Sequence, residues 1–210
     1  MTAILYYGSG SPYAWRVWLA LEHKQIPYEL KVLSFDAGDL EKSEFLELNP
    51  RHKVPVLVDR GFVLYESAAI VEYVEERWPD KPRLFSADLR DRAVERRMIR
   101  EADQYFAGEM ERLVDGVLMT PKEKWNSGEI AAAIASIGRE LSIWETMIGG
   151  DFLAGPLSAV DYTFYPELTI ARRIARRMGG DLAMGPRMMS WASRMEELDI
   201  VKRTWPPHWK

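Results

Sequence analysis

The side chains that could do chemistry in this sequence are hydroxyls, carboxylates and amines, because the chain contains no cysteine. That absence excludes disulfides, thiolate metal sites and cysteine nucleophiles. The three histidines, His23, His52 and His208, are too scattered along the chain to indicate a metal cluster. Any reaction must therefore use these oxygen and nitrogen groups, or a reactive group that a bound molecule brings.

Four short motifs stand at or near the predicted starts of helices and strands. Ser11-Pro12 has the residue types of a helix N-cap and the first helical position, and Glu66-Ser67 opens a later helix. Lys42 falls in a short helical segment between them, and Val54-Pro55 stands at the start of a strand. Each motif alone is common as a plain structural feature, so only their order and spacing are informative.

The elements that must position these motifs alternate between strand and helix at the start of the chain. The first helix carries an apolar stripe of Ala14, Val17, Trp18 and Leu21. The order βαβα–ββα predicts a mixed sheet with helices packed on it. The pattern predicts strands at residues 3–7, 26–33, 54–58 and 62–64, and helices after Ser11, over 40–48 and after Glu66.

Beyond Pro82 only helical spacing of apolar residues is found, which predicts a second, all-helical domain. We place the first domain at 1–80, a linker at 81–88 and the helical domain at 89–210. Ser158 to Asp161 has the spacing of a capping box, with Pro166 inside the helix that follows. That proline predicts a kink or a helix that tolerates a lost hydrogen bond.

Composition and failed motifs exclude several classes of function. The net charge of −4 gives no general attraction to nucleic acid or anionic lipid, and no apolar run is long enough to span a membrane. Gly8-Ser9-Gly10 lacks the third glycine of a dinucleotide fingerprint, and Ser11 lies in no Gly-x-Ser-x-Gly elbow. With no secretory signal at the N-terminus, we expect a cytoplasmic protein that binds neither nucleic acid nor membrane.

In this order and spacing the motifs resemble the cytosolic glutathione transferase family. The likeness covers essentially the whole chain and is carried by residues 11–17, 49–57 and 65–73 together with the capping box. It implies a thioredoxin-like domain followed by an all-helical domain, a two-fold homodimer, and glutathione as co-substrate. Ser11-Pro12 before an aromatic residue, and Lys42-Ser43-Glu44, are most similar to the serine-type tau class of plants and its bacterial relatives.

The resemblance also implies a role for each motif. Ser11 would hold the glutathione thiol as thiolate, a group that this cysteine-free chain lacks. Pro55 would follow a cis peptide bond, which turns the backbone of Val54 toward the cysteinyl residue of glutathione. Ser67 would bind the γ-glutamyl carboxylate and Glu66 its ammonium group.

Further residues are implied more loosely. Lys42 and Lys53 would pair with the glycine carboxylate, and Asp103 would reach the γ-glutamyl group across the dimer. Tyr6 is the alternative thiol activator, because tyrosine-type classes place one near the end of the first strand. An apolar electrophile pocket between the domains would draw on Tyr13, Tyr105, Phe106 and Trp205.

These roles predict a glutathione transferase that adds the thiolate to small hydrophobic electrophiles. One alternative is a zeta-like isomerase that uses glutathione as a cofactor, although Pro12 and Tyr13 depart from the Ser-Ser-Cys pattern of that class. Another is a non-catalytic, transferase-like module that mediates protein contacts. Thiol–disulfide reduction is disfavoured because the chain has no cysteine.

Overall fold

The computed structural model describes residues 2–209, which form two compact units. One unit holds the described residues up to Phe85 and those from Leu198 onward, and the other holds Ser86–Glu197. None of the helices in the described part of the chain is long and apolar enough to cross a bilayer.

The first unit contains the predicted mixed sheet of four strands, in the order β2-β1-β3-β4. β1 and β2 run parallel, whereas β3 is antiparallel to both β1 and β4. The prediction of a four-stranded mixed sheet is confirmed. The strands are β1 Ala3–Gly8, β2 Tyr28–Leu33, β3 Val56–Asp59 and β4 Phe62–Tyr65.

Three helices accompany the sheet. In α1 the predicted stripe is buried except for Trp18, which is partly exposed and donates its indole N–H to the Tyr28 hydroxyl. The predicted helix over 40–48 is broken: a 3-10 turn ends at Glu41, and Lys42 is an extended N-cap between that turn and the next helix. The helices are α1 Pro12–His23, α2 Ser43–Leu46 and α3 Ser67–Arg77.

The second unit is helical, and its core is aromatic. Phe164 stacks on Trp144 with ring centroids 4.0 Å apart and also contacts Phe106 at 4.7 Å. The predicted capping box is present, and α7 continues through Pro166. The π-helical segment Ala102–Phe106 separates α4 from α5, and a second one, Val114–Leu118, follows the end of α5. The helices are α4 Leu89–Glu101, α5 Ala107–Leu113, α6 Ser127–Met147, α7 Ala159–Arg177 and α8 Pro186–Glu197.

The end of the chain corrects the predicted domain boundaries. Residues 198–209, which include α9 Asp199–Thr204, belong to the first unit rather than to the helical domain. The indole N–H of Trp15 donates to Thr204 Oγ1 at 2.7 Å, and the Trp205 ring lies 5.5 Å from that of Trp15. The predicted linker 81–88 is also partly core, because Leu84 and Phe85 are buried. Helical spacing marks a buried face but does not say which unit buries it.

We expect Thr204→Val to lower the free energy of unfolding by about 1–3 kcal/mol, because it leaves the buried N–H of Trp15 without its acceptor. Thr163→Val is the matched control. Both hydroxyls donate to a carbonyl one turn earlier, Thr163 to Ala159 and Thr204 to Ile200, but only the Thr204 hydroxyl accepts from an indole. Urea unfolding of both variants measures the difference, and equal losses would show that the indole contact contributes nothing.

Candidate functional site

The site is built at one edge of the sheet, where three segments meet because of strand direction. Tyr6, near the end of β1, pairs with Val56 at the start of β3, and Val56 pairs with Tyr65 at the end of β4. The loop after β1, the residues before β3 and the start of α3 therefore leave the sheet at the same edge. Ser11, Val54 and Ser67, which are far apart in sequence, share this edge.

Ser11 is the N-cap of α1. Its backbone is extended, its Oγ accepts from the Ala14 N–H at 3.2 Å, and its N–H donates to the Gly8 carbonyl at 3.0 Å. Because the cap uses a lone pair of Oγ, the hydroxyl proton can still be donated to an anion at the helix start. The positive end of the helix dipole favours an anion at the same place.

The start of α3 is supported by a buried arginine. Arg16, on α1, is 1% exposed and donates from Nη1 to Ser67 Oγ at 3.2 Å. Ser67 is the first residue of α3 and is itself buried. The guanidinium group thus adds a positive charge beside a helix N-terminus, where both favour a bound carboxylate. Sequence reasoning gave Arg16 no role, although a charged residue beside an apolar helical stripe is a usable signal.

Glu66 has a strained backbone, with φ +72° and ψ 106°. Residues with a side chain rarely adopt positive φ, and the cost is about 1–3 kcal/mol where they do. Its side chain is exposed, whereas the next residue, Ser67, is buried. The strained backbone of Glu66 thus forms the turn from β4 into α3, at the sheet edge that also holds Ser11.

The peptide bond between Val54 and Pro55 is cis, as predicted. The ladder between β1 and β3 ends at Val56, so the Val54 backbone lies past the last paired residue. Gly8 permits a close approach here, because a Cβ on it would lie 2.8 Å from Val54 Cγ2 and 2.6 Å from Phe35 Cζ. Val54 thus lies against the end of β1, beside the loop that leads to Ser11.

The two predicted lysines differ in their surroundings. Lys53 is exposed and directly precedes Val54, and its carbonyl accepts from the Asn49 side chain at 2.6 Å. Lys42 is also exposed, and its Nζ lies 2.6 Å from Asp39 Oδ1. That hydrogen bond raises the pKa of Lys42. Lys53 lies near the sheet edge because it directly precedes Val54. Lys42 instead forms an ion pair with Asp39.

The two tyrosines of β1 face opposite sides of the sheet, as their alternation predicts. The Tyr6 ring lies 6.1 Å from that of Phe45, and its hydroxyl accepts from Lys31 at 3.5 Å. Tyr7 is buried against Trp18 with ring centroids 4.9 Å apart, and burial raises the pKa of its hydroxyl. The Tyr7 hydroxyl accepts from the Gly10 N–H at 3.5 Å, so it is Tyr7 that contacts the loop before Ser11.

The predicted pocket residues belong to both units, two to each. Phe106 is fully buried against Phe164 in the core of the helical unit, so its role there is packing, which corrects its assignment to a substrate pocket. Tyr105 is 52% exposed, and Asp103 is half-buried in the same π-helical segment. In the first unit, Trp205 packs on Trp15, and the Arg16 guanidinium lies 5.7 Å from the centre of the Tyr13 ring.

A cleft of about 510 Å³ lies within the helical unit, and none of the predicted residues lines it. Its walls come from the second π-helical segment, the loop that follows it and the end of α7. The lining residues are Val117, Leu118, Met119, Thr120, Pro121, Lys122, Trp125 and Arg177.

Several known proteins are similar to this chain in sequence and in fold. Residues 10–77 match the family described as glutathione S-transferase, N-terminal domain. The chain is 31% identical over 212 residues to probable maleylacetoacetate isomerase 1 of Drosophila melanogaster, covering 97% of this chain and 81% of that protein. It is 33% identical over 191 residues to glutathione S-transferase 1 of Dianthus caryophyllus, covering 89% and 83%. The crystal structure of a glutathione S-transferase from the Antarctic clam Laternula elliptica matches with a TM-score of 0.85 and 30% identity, covering 100% and 94%.

We expect Glu66→Gly to raise the free energy of unfolding by about 1 kcal/mol, because the relieved strain of about 1–3 kcal/mol exceeds the entropic cost of glycine of about 0.5–1 kcal/mol. For a chain of this length the melting temperature should rise by about 2–4 °C. Glu66→Gln keeps the Cβ and removes only the charge, so it should not stabilise. If both variants melted at the same temperature, the backbone at Glu66 would not be strained.

Proposed function

This chain belongs to the glutathione S-transferase family, and from that premise we propose that it holds the thiol of bound glutathione as thiolate at Ser11 and adds it to small hydrophobic electrophiles. The observation that carries the proposal is the shared sheet edge, where the N-cap of α1 at Ser11, the unpaired residue Val54 before β3 and the start of α3 all leave the sheet. Two helix N-termini at one edge suit a ligand with two anionic groups, a thiolate and a carboxylate.

The energy needed for thiol activation is within reach of these groups. A free thiol has a pKa of about 8.5, so only roughly 3% is thiolate at pH 7. Lowering that pKa by about two units requires about 2.7 kcal/mol of selective stabilisation of the anion. A hydrogen bond to a charged group contributes about 1.5–3 kcal/mol, and a helix N-terminus about 0.3–1 kcal/mol. The Ser11 hydroxyl and α1 together are sufficient without a metal or a general base.

The remaining roles follow the same edge. The Val54 backbone, past the end of its ladder, pairs with the cysteinyl backbone of glutathione as an added strand would. Ser67 and the start of α3 bind the γ-glutamyl carboxylate, with Arg16 orienting the Ser67 hydroxyl, and Glu66 binds the ammonium group. Lys53 binds the glycine carboxylate, and Lys42 joins it by exchanging Asp39 for the ligand.

The finer family features are proposals as well. The motif around Ser11 favours a serine-type enzyme similar to the tau class. We place the protein in the cytoplasm as a two-fold homodimer, in which Asp103 of one protomer approaches the γ-glutamyl group bound by its partner. Tyr13, Tyr105 and Trp205 are the aromatic candidates for contact with the electrophile.

A second candidate is the glutathione-dependent isomerase, favoured by the 31% identity to the Drosophila protein named as a probable maleylacetoacetate isomerase. Both reactions begin with the same thiolate, but an isomerase releases glutathione unchanged, whereas conjugation consumes one glutathione per product. Pro12 and Tyr13 stand where the isomerase pattern has other residues, which favours conjugation. Measuring glutathione loss with a chlorodinitrobenzene-type electrophile and with maleylacetoacetate separates the two.

We expect Ser11→Ala to raise the pKa of the bound glutathione thiol by about 1–2 units, because the loss of one hydrogen bond to a charged group removes about 1.5–3 kcal/mol. Thiolate absorbance as a function of pH measures the change, and glutathione affinity should change little. Ser11→Thr keeps the hydroxyl and should keep the low pKa. Ser11→Asp keeps the helix cap but donates no proton, so normal activation in that variant would mean that Ser11 is only a cap.

Ser67→Ala should have the opposite profile. Its hydroxyl is assigned to the γ-glutamyl carboxylate, so we expect glutathione affinity to fall about tenfold, with a thiol pKa close to that of the unchanged protein. Calorimetric titration gives the affinity and thiolate absorbance gives the pKa. A raised thiol pKa with unchanged affinity would contradict the roles assigned to Ser67 and Ser11.

A further inference from the structure

The C-terminal segment reaches the loop that leads to Ser11. Nδ1 of His208 lies 2.7 Å from the hydroxyl oxygen of Ser9, two residues before Ser11. His208 belongs to a short 3-10 turn, Pro207–Trp209, that follows α9. The sequence assigns no function to His208. Residues 9 and 208 are separated by almost the whole length of the chain, so no local pattern could pair them.

The same segment covers the peptide directly before Ser11. Gly10 has φ +89°, and a Cβ placed on it would lie 3.0 Å from Cε1 and 3.1 Å from Nε2 of His208. It would also lie 3.4 Å from the indole nitrogen of Trp209. The imidazole and the indole therefore lie directly against the Gly10 backbone, and glycine leaves room for them.

The segment is held on α1 by contacts away from that loop. The Trp209 side chain is buried, with its ring 5.8 Å from that of Trp15, and Arg203 Nη2 lies 2.8 Å from Glu22 Oε2. On its other side the loop is held by the Tyr7 hydroxyl, which accepts from the Gly10 N–H at 3.5 Å. The loop is thus fixed between the end of β1 and the end of the chain.

We propose that His208 is a positioning residue for the thiol site, which rests on the proposed role of Ser11. Its hydrogen bond to Ser9 holds the Gly8–Ser11 loop so that the Ser11 hydroxyl is directed at the thiolate. The imidazole acts through Ser9 and does not itself touch glutathione. The turn Pro207–Trp209 thereby helps to lower the pKa of the glutathione thiol.

The test compares two variants that break the bond, Ser9→Ala and His208→Ala, and their combination. Each single variant should raise the pKa of the bound glutathione thiol by about half a unit to one unit, a roughly three- to tenfold loss of thiolate below that pKa. The double variant should be no worse than the more affected single one, because the Ser9–His208 bond is already lost in each. The KM for glutathione should change less than kcat.

His208→Asn and His208→Gln are the matched pair. The Asn side chain places a polar atom at the position of Nδ1 and should rescue the thiol pKa, whereas Gln reaches toward the position of Nε2 and should not. Arg203→Ala removes an exposed ion pair that contributes little to holding the segment, and should leave the thiol pKa unchanged. Thermal unfolding of every variant identifies any loss of folding.

The outcomes separate this inference from the proposed function. If the unchanged protein does not lower the thiol pKa, the role of Ser11 itself fails. If Ser11→Ala raises that pKa while Ser9→Ala and His208→Ala leave it unchanged, the positioning role alone is overturned. If His208→Ala raises it but Ser9→Ala does not, or if Asn fails to rescue, the imidazole acts directly and positioning through Ser9 is wrong.

Discussion

The pairing of Tyr6 with Val56 is the contact on which the rest of the site depends. It sets β3 antiparallel to β1, so that the residues before β3 lie beside the loop after β1. The next pair, Val56 with Tyr65, brings the start of α3 to the same edge. A slip of one residue would turn every side chain of β3 to the opposite face and would take the Asp59 carboxylate away from Tyr73 and Arg77, which both donate to it.

That edge concentrates positive potential without a metal ion. The N-termini of α1 and α3 contribute partial charges, and the buried Arg16 contributes a full one at hydrogen-bond distance from Ser67. A buried arginine is costly to desolvate unless it is hydrogen-bonded, so its place under the start of α3 calls for a reason beyond packing. The carboxylate proposed to bind at that helix start is such a reason.

Local features were predictable from the sequence because a few adjacent residues determine them. The cap at Ser11, the capping box from Ser158 to Asp161 and the succession of strands and helices in the first unit all depend on short patterns. Lys42 shows the limit at short range, since the predicted helix over 40–48 breaks at that residue.

Long-range placement could not be read from the same patterns. The apolar residues of the last segment predict that it packs on something, yet only Trp15 and its neighbours decide that it packs on α1. The helical spacing of Phe106 is the same whether the ring faces a pocket or a core. Its contact with Phe164 in the structure shows that it faces the core. Residue type and periodicity predict which face of a helix is apolar. The residues that pack on that face lie elsewhere in the sequence and are not predicted by them.

The loop from Gly8 to Ser11 explains why such a partner matters for chemistry. Two of its four residues are glycines, and ordering each residue costs about 1–2 kcal/mol of conformational free energy. On an unrestrained loop, this ordering cost would oppose the binding of the thiolate by the hydroxyl. The cost is comparable to the roughly 1.5–3 kcal/mol that the hydrogen bond to the thiolate contributes. Tyr7 on one side and His208 on the other order the loop in advance. With these contacts in place, the Ser11 hydroxyl proposed to bind the thiolate stands on a loop that is already held between β1 and the 207–209 turn.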